Sequence, residues 1–186
     1  MPIEYNMSHD ETVSKWDETM DKSYSFLRQV FEINNLLNVF KKDVDKRNRF
    51  LLEIMQEKIH NIIDFQDGNN ENFSKSDEEE NVHEIINLSL LFLISQNHSI
   101  DENIEPLWIN QRAINRKMMV QKNLEYGSSW SILRPNSIID VIHTKIHRIM
   151  SLIEIGKTEF ESYEDSYMDI INYCVFFIIR SNWDKG

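Results

Sequence analysis

A chain of 186 residues with a formal charge of −11 has room for one compact domain or two small fused ones. That charge argues against an extended nucleic-acid groove, which needs clustered lysine and arginine to displace counterions, but leaves room for a small phosphorylated ligand held by a few cations. Four glycines and three prolines in the whole sequence exclude a fold of short strands joined by tight turns, so the expected class is all-α.

In chain order, Ser8-x-x-Glu11 opens the first predicted helix, and Val13, Trp16, Met20, Tyr24, Leu27 and Phe31 recur at three- and four-residue spacing to carry it to about residue 42. A start signal at Ser76-x-x-Glu79 precedes a helix whose residues 85–94 are apolar on every side, the mark of a helix enclosed by others. The acidic run Asp77-Glu78-Glu79-Glu80 suits that helix N-terminus, where negative charge is favoured. After a polar linker come helices at 106–125, 137–155 and 163–182, with the loop 126–135 between the first two. Ser162-x-x-Asp165 is the start signal of the last, whose residues 170–179 are again apolar on every side. The single cysteine, Cys174, lies in that run as a small hydrophobe, so no intramolecular disulfide forms and a reducing compartment fits. The start MPIEYNMSHDE lacks the features of a signal peptide, and ten-residue apolar runs fall short of the roughly 20 residues needed to cross a bilayer. The expected location is the cytoplasm, with no membrane partner.

Two stretches of the chain read alike. Lys58-Ile59-His60-Asn61-Ile62-Ile63 corresponds to Lys145-Ile146-His147-Arg148-Ile149-Met150, and Glu79 to Asn87 corresponds to Glu164 to Asn172. Arg47 pairs with Arg134 and Phe73 with Phe160 in the same order. The expected architecture is a tandem duplication of a three-helix unit, forming a helical bundle with internal pseudo-twofold symmetry. Residues 1–96 hold the N-terminal helix and a diverged first unit, 97–105 the linker and 106–186 the second unit, the two packing as one domain.

Only the second unit keeps a full set of candidate functional residues. Asp165, Asp169 and Asn172 stand at i, i+4 and i+7 on the last helix and project from one stripe. The preceding helix offers Lys145 and Arg148, and the loop offers Arg134, as cations for a phosphate. Magnesium takes one or two carboxylates plus substrate oxygens, so Asp165 and Asp169, with Glu164, are the expected metal ligands, the two aspartates being the catalytic pair. Tyr126-Gly127-Ser128-Ser129-Trp130 places two aromatics around a glycine turn, suited to stacking on a base. The same residues also read as scaffold: Lys145 with Asp169 and Arg148 with Asp165 as interhelical ion pairs, Asn172 as part of a core polar network, and the aromatics as a core seal. In the first unit Asn61 stands where Arg148 does, and Phe40 and Asp43 where Gly127 and Trp130 do. His143 and His147 have zinc-ligand spacing but lack the glutamate of H-E-x-x-H.

The segments Glu125-Tyr126-Gly127-Ser128-Ser129-Trp130, Leu133-Arg134-Pro135, Lys145-Ile146-His147-Arg148-Ile149, Glu161-Ser162, Glu164-Asp165-Ser166 and Asp169-Ile170-Ile171-Asn172-Tyr173 resemble the nucleotide modification associated domain 1 family over about residues 110–182. Residues 23–96 look like a diverged copy without the tyrosine-glycine and tryptophan signature. The resemblance implies a role beside nucleotide or base modification. Glu164-x-x-x-x-Asp169-x-x-Asn172 is also distantly similar to MazG-type all-α nucleotide pyrophosphatases, although Lys145 and Arg148 stand where that family carries further carboxylates. The leading expectation is a nucleotide-handling protein, either a magnesium-dependent phosphohydrolase or a nucleotide-binding factor. The alternative is a non-catalytic helical adaptor whose acidic surface binds a protein partner or a second copy of the chain.

Overall fold

The computed structural model describes residues 7–156 and 161–183, the side chains of residues 161 and 162 excepted. Among the described residues the chain is helical throughout: α1 (His9–Ser25), α2 (Leu27–Ile33), α3 (Leu36–Val39), α4 (Val44–Gln66), α5 (Lys75–Ser95), α6 (Glu105–Tyr126), a 3₁₀ turn (Ser129–Ile132), α7 (Pro135–Glu154) and α8 (Glu161–Asn182). No strand occurs among them, and no helix is long and apolar enough to cross a membrane.

The wholly apolar runs hold the centre. In α5 every residue from Asn81 to Ser95 is buried, and in α8 Ile170, Ile171, Cys174, Val175 and Phe177 are sealed from solvent. These two helices pack on each other, with Phe92 stacked on Tyr167 at 3.9 Å between ring centroids. Helix α4 lies against α5 and α7 against α8, and α4 and α7 lie against each other. Burial in apolar surroundings pushes the Cys174 thiol well above its ordinary pKa, so it stays a protonated packing group.

The first expected helix is broken. Ser8 caps it by accepting from the Glu11 N–H at 3.2 Å, but α1 stops at Phe26 and α2 stops at Asn34. Near the first break the Ser23 and Ser25 hydroxyls donate to the carbonyls of Thr19 and Lys22, local bonds that compete with the helical ladder and bend it. At the second, Asn35 has φ +50°, a left-handed conformation that asparagine tolerates and that ends a helix. The start of α5 also differs from expectation. The reciprocal cap is Ser74 with Asp77, each side chain taking the other's backbone N–H at 2.7 and 3.2 Å, two residues ahead of the expected Ser76 and Glu79. Glu79 is drawn instead to Lys22 of α1, His83 of its own helix and Asn182 of α8. The start signal expected at Ser162 lies outside the described side chains.

Helix α1 packs on α8, and α6 packs on α5, so the leading helix of each half reaches the innermost helix of the other. Two matched hydrogen bonds mark this exchange: Trp16 Nε1 donates to Asn172 Oδ1 at 3.2 Å, and Trp108 Nε1 to Asn87 Oδ1 at 3.0 Å. All four residues are buried. Between α1 and α6, Arg116 grips Asp17 through two nitrogens at 2.8 and 2.9 Å. These crossing contacts tie residues on either side of the connection between α5 and α6 into one packed body.

Candidate functional site

The polar stripe of α8 divides by depth. Asn172 is buried and committed to Trp16, Asp169 is partly buried, and Asp165 is exposed. Asp169 is the centre of the arrangement. Its Oδ2 accepts from Lys145 Nζ of α7 at 3.0 Å, and its Oδ1 accepts from Lys122 Nζ of α6 at 2.7 Å. Lys145 also lies over the ring of Tyr173, 5.9 Å from its centroid, where the negative π face favours a cation. Two ammonium groups thus flank one carboxylate, leaving a local charge of +1 on an acidic protein.

These groups border a cavity of about 270 Å³ between α6, α8 and the 3₁₀ turn. Lys122, Asn123, Tyr126, Trp130, Asp169 and Asn172 line it with Met119, Tyr173 and Phe176, while Lys145 supports Asp169 from behind. The loop after α6 gives the cavity its shape. Gly127 has φ +64° and ψ −164°, a region that essentially only glycine occupies. Ser128 then anchors the turn by donating to the Met7 carbonyl at 2.7 Å, and Ser131 donates back to the Ser128 carbonyl at 2.6 Å. Trp130 is thereby laid flat on Phe176, centroids 4.5 Å apart and planes within 4°. Tyr126, by contrast, is 72% exposed at the rim. Two polar atoms of the lining find no hydrogen-bond partner among the described residues: Trp130 Nε1 and Asn123 Oδ1, both buried.

Of the residues that the sequence nominates, the fold brings Tyr126, Trp130, Asp169 and Asn172 to this cavity, with Lys145 adjoining. Arg134, at the N-cap of α7, and Arg148, farther along that helix, are exposed and line no part of it, as are Asp165, exposed, and Glu164, half-buried. The ion pair of Arg148 with Asp165 does not form, whereas that of Lys145 with Asp169 does. Lys122 carries no sequence signal, because it sits 47 residues from its partner and outside the recognisable loop. Asn123 is missed for the same reason. Among the described residues, no three His, Cys, Asp or Glu side chains gather as a metal-binding group. Each oxygen of Asp169 accepts from a lysine, so a divalent ion at this carboxylate meets the repulsion of two neighbouring ammonium groups.

Residues 122–180 match the nucleotide modification associated domain 1 family. This is the family that the sequence resembles, and the matched segment runs from Lys122 through the glycine turn, α7 and most of α8, taking in all three members of the Lys122–Asp169–Lys145 network. No curated protein and no solved structure matches the chain. The likeness to MazG-type pyrophosphatases therefore rests on the acidic pattern of α8 alone.

Proposed function

We propose that the protein binds a nucleotide in the cavity between α6, α8 and the 3₁₀ turn, with Lys122 and Lys145 attracting the phosphate and Tyr126 stacking on the base. The observation that carries this reading is the convergence of two lysines on Asp169 beside an exposed aromatic, within the segment of the nucleotide modification associated domain 1 family. Asp169 keeps both ammonium groups in place without neutralising them fully, and a phosphate entering the cavity gains charge-assisted hydrogen bonds from groups already held in position. Arg134 and Arg148 contribute to the field around the site rather than to direct contact. Phosphoanhydride hydrolysis requires magnesium carried in by the substrate phosphates, because Asp169, the one carboxylate among the described residues lining the cavity, already faces two ammonium groups.

A thermal-shift screen of the full chain against nucleoside mono- and triphosphates, with and without magnesium, tests the proposal. A ligand at 100 times its Kd raises stability by about 2.7 kcal/mol. The expected outcome is a shift for one nucleotide class that disappears in Lys122→Met. The adaptor reading draws on the same network, since a carboxylate with both oxygens satisfied also serves as scaffold. It predicts no shift with any nucleotide, and that result would replace the nucleotide reading with the adaptor.

A further inference from the structure

We infer that the ligand of this cavity is a nucleoside monophosphate taken without a metal ion, its phosphate on Lys122 and its base edge on Trp130 and Asn123. The inference rests on the nucleotide reading above and narrows it on three independent observations.

Charge is the first. Lys122 and Lys145 less Asp169 leave one net positive charge, set in a chain of net charge −11. A phosphate monoester carries about −1.5 to −2 at neutral pH, which such a site accommodates. A triphosphate brings considerably more charge and ordinarily arrives with magnesium held by one or two protein carboxylates. Here the carboxylate on the cavity spends both oxygens on lysines, and Asp165 and Glu164 lie off the lining.

Size is the second. Pockets for small molecules usually run about 300–1,000 Å³, and a cavity of about 270 Å³ sits at the lower edge of that range. It suits one base, one sugar and one phosphate better than a longer polyphosphate chain.

The third is chemical. Trp130 is 5% exposed and Asn123 6%, yet Trp130 Nε1 and Asn123 Oδ1 have no partner among the described residues. Leaving a buried donor and a buried acceptor unmade is costly, and a paired donor and acceptor on the edge of a base satisfies both at once. Neighbouring contacts already place the two side chains: Trp130 by its stack on Phe176, and Asn123 by the 2.8 Å bond of its Nδ2 to His9 Nδ1.

Isothermal titration of the full chain with AMP, GMP, CMP and dTMP, with their triphosphates and with the parent nucleosides, each in EDTA and in magnesium, tests the inference. One monophosphate should bind at least about tenfold more tightly than its triphosphate and its nucleoside, the scale of one charge-assisted hydrogen bond. Magnesium should leave that affinity unchanged. Lys122→Met should erase the preference for the phosphorylated form. Trp130→Phe, which keeps the ring stack and removes only the N–H, should weaken the preferred base while the melting curve stays cooperative. A triphosphate that binds equally or better, or a monophosphate that requires magnesium, overturns the inference and leaves the nucleotide reading standing. Absence of binding by every nucleotide overturns both.

Discussion

Glu84 and Asp169 occupy corresponding places on the two innermost helices, and each meets a lysine from the helix before it: Lys58 at 2.9 Å and Lys145 at 3.0 Å. Their surroundings differ. Glu84 is 4% exposed and pairs with one lysine that is itself nearly covered, whereas Asp169 adds a second lysine from α6 and faces a cavity. One polar device is closed into the scaffold, and the other is left open enough to meet a ligand. The difference lies in what α6 supplies near its end, Lys122 and the glycine turn, where the first half has the short helix α2 and Asn35.

The largest effect should follow from breaking the closed pair. Glu84→Gln leaves Lys58 buried without its counter-charge and should cost about 3–5 kcal/mol, while the double replacement Lys58→Met with Glu84→Leu should be neutral or stabilising, because it removes both charges together. Asp169→Asn should cost under about 1 kcal/mol, its lysines being partly solvated. Urea unfolding of the three variants checks the order. If Asp169→Asn were the more damaging single change, the assignment of closed scaffold and open site would have to be reversed.

Next in size are the crossing tryptophans. Trp16→Phe strands Asn172 Oδ1, and Trp108→Phe strands Asn87 Oδ1, each a buried acceptor. Either change should cost about 1–3 kcal/mol, the penalty of an unsatisfied buried group. Near-equal losses in denaturant titrations would show the two contacts to be equivalent supports. A loss in only one would mean that the halves lean on each other unequally.

Much of this was legible in the sequence, and what was not has identifiable causes. The helices of the second half fall within two residues of their expected limits, since capping residues, proline and apolar periodicity all report locally. The enclosure of 85–94 and 170–179 follows from their having no polar face. The pairing of Lys145 with Asp169 was anticipated from helix spacing on sequential helices. The break at Asn35 was not, because the apolar spacing continues across it and asparagine is only occasionally left-handed. Nor were Lys122, Asn123 and the Trp16 contact with Asn172, which depend on α1 and α6 each crossing to the other half, an arrangement of whole helices with no local mark. Arg47 and Arg134 show the limit of the repeat as a guide: Arg47 is buried and donates to the Ser95 carbonyl at 3.4 Å, while its counterpart Arg134 is exposed.

The two turns that follow the leading helices sharpen the comparison further. Gly127 adopts a conformation closed to other residues although a Cβ there would meet nothing within 4 Å, so Gly127→Ala should cost about 1–3 kcal/mol through backbone strain alone. Asn35, with φ +50° and ψ +41°, sits in the ordinary left-handed region, and Asn35→Gly should change stability by a few tenths of a kcal/mol, about the scale seen when glycine replaces a residue in a conformation it readily adopts. Thermal melts of the pair decide it. Equal tolerance at both positions would mean that the cavity loop relaxes readily, and the fixed placement of Trp130 would lose its basis.

The smallest effect is a slope rather than a step, and it belongs to Glu79, at the joint of α1, α5 and α8. The His83 ring first, its Nε2 at 3.6 Å, and hydrogen bonds from Lys22 and Asn182 after it, hold the Glu79 carboxyl down to about 2 from an ordinary 4.5, against an opposing effect of burial. A carboxyl whose pKa is depressed on folding stabilises the native state above its unfolded value and loses that contribution as pH falls through the folded one. The contribution of Glu79 is therefore complete above about pH 4.5 and disappears toward pH 2, in a joint that links α1, α5 and α8. Glu79→Gln should flatten the fall in stability across that window. An acid titration of stability for this variant beside the parent chain, at low salt where such contacts are least screened, checks it. An unchanged slope would mean that the joint of α1, α5 and α8 does not carry the acid sensitivity, and the picture of a first half closed by its polar contacts would lose that support.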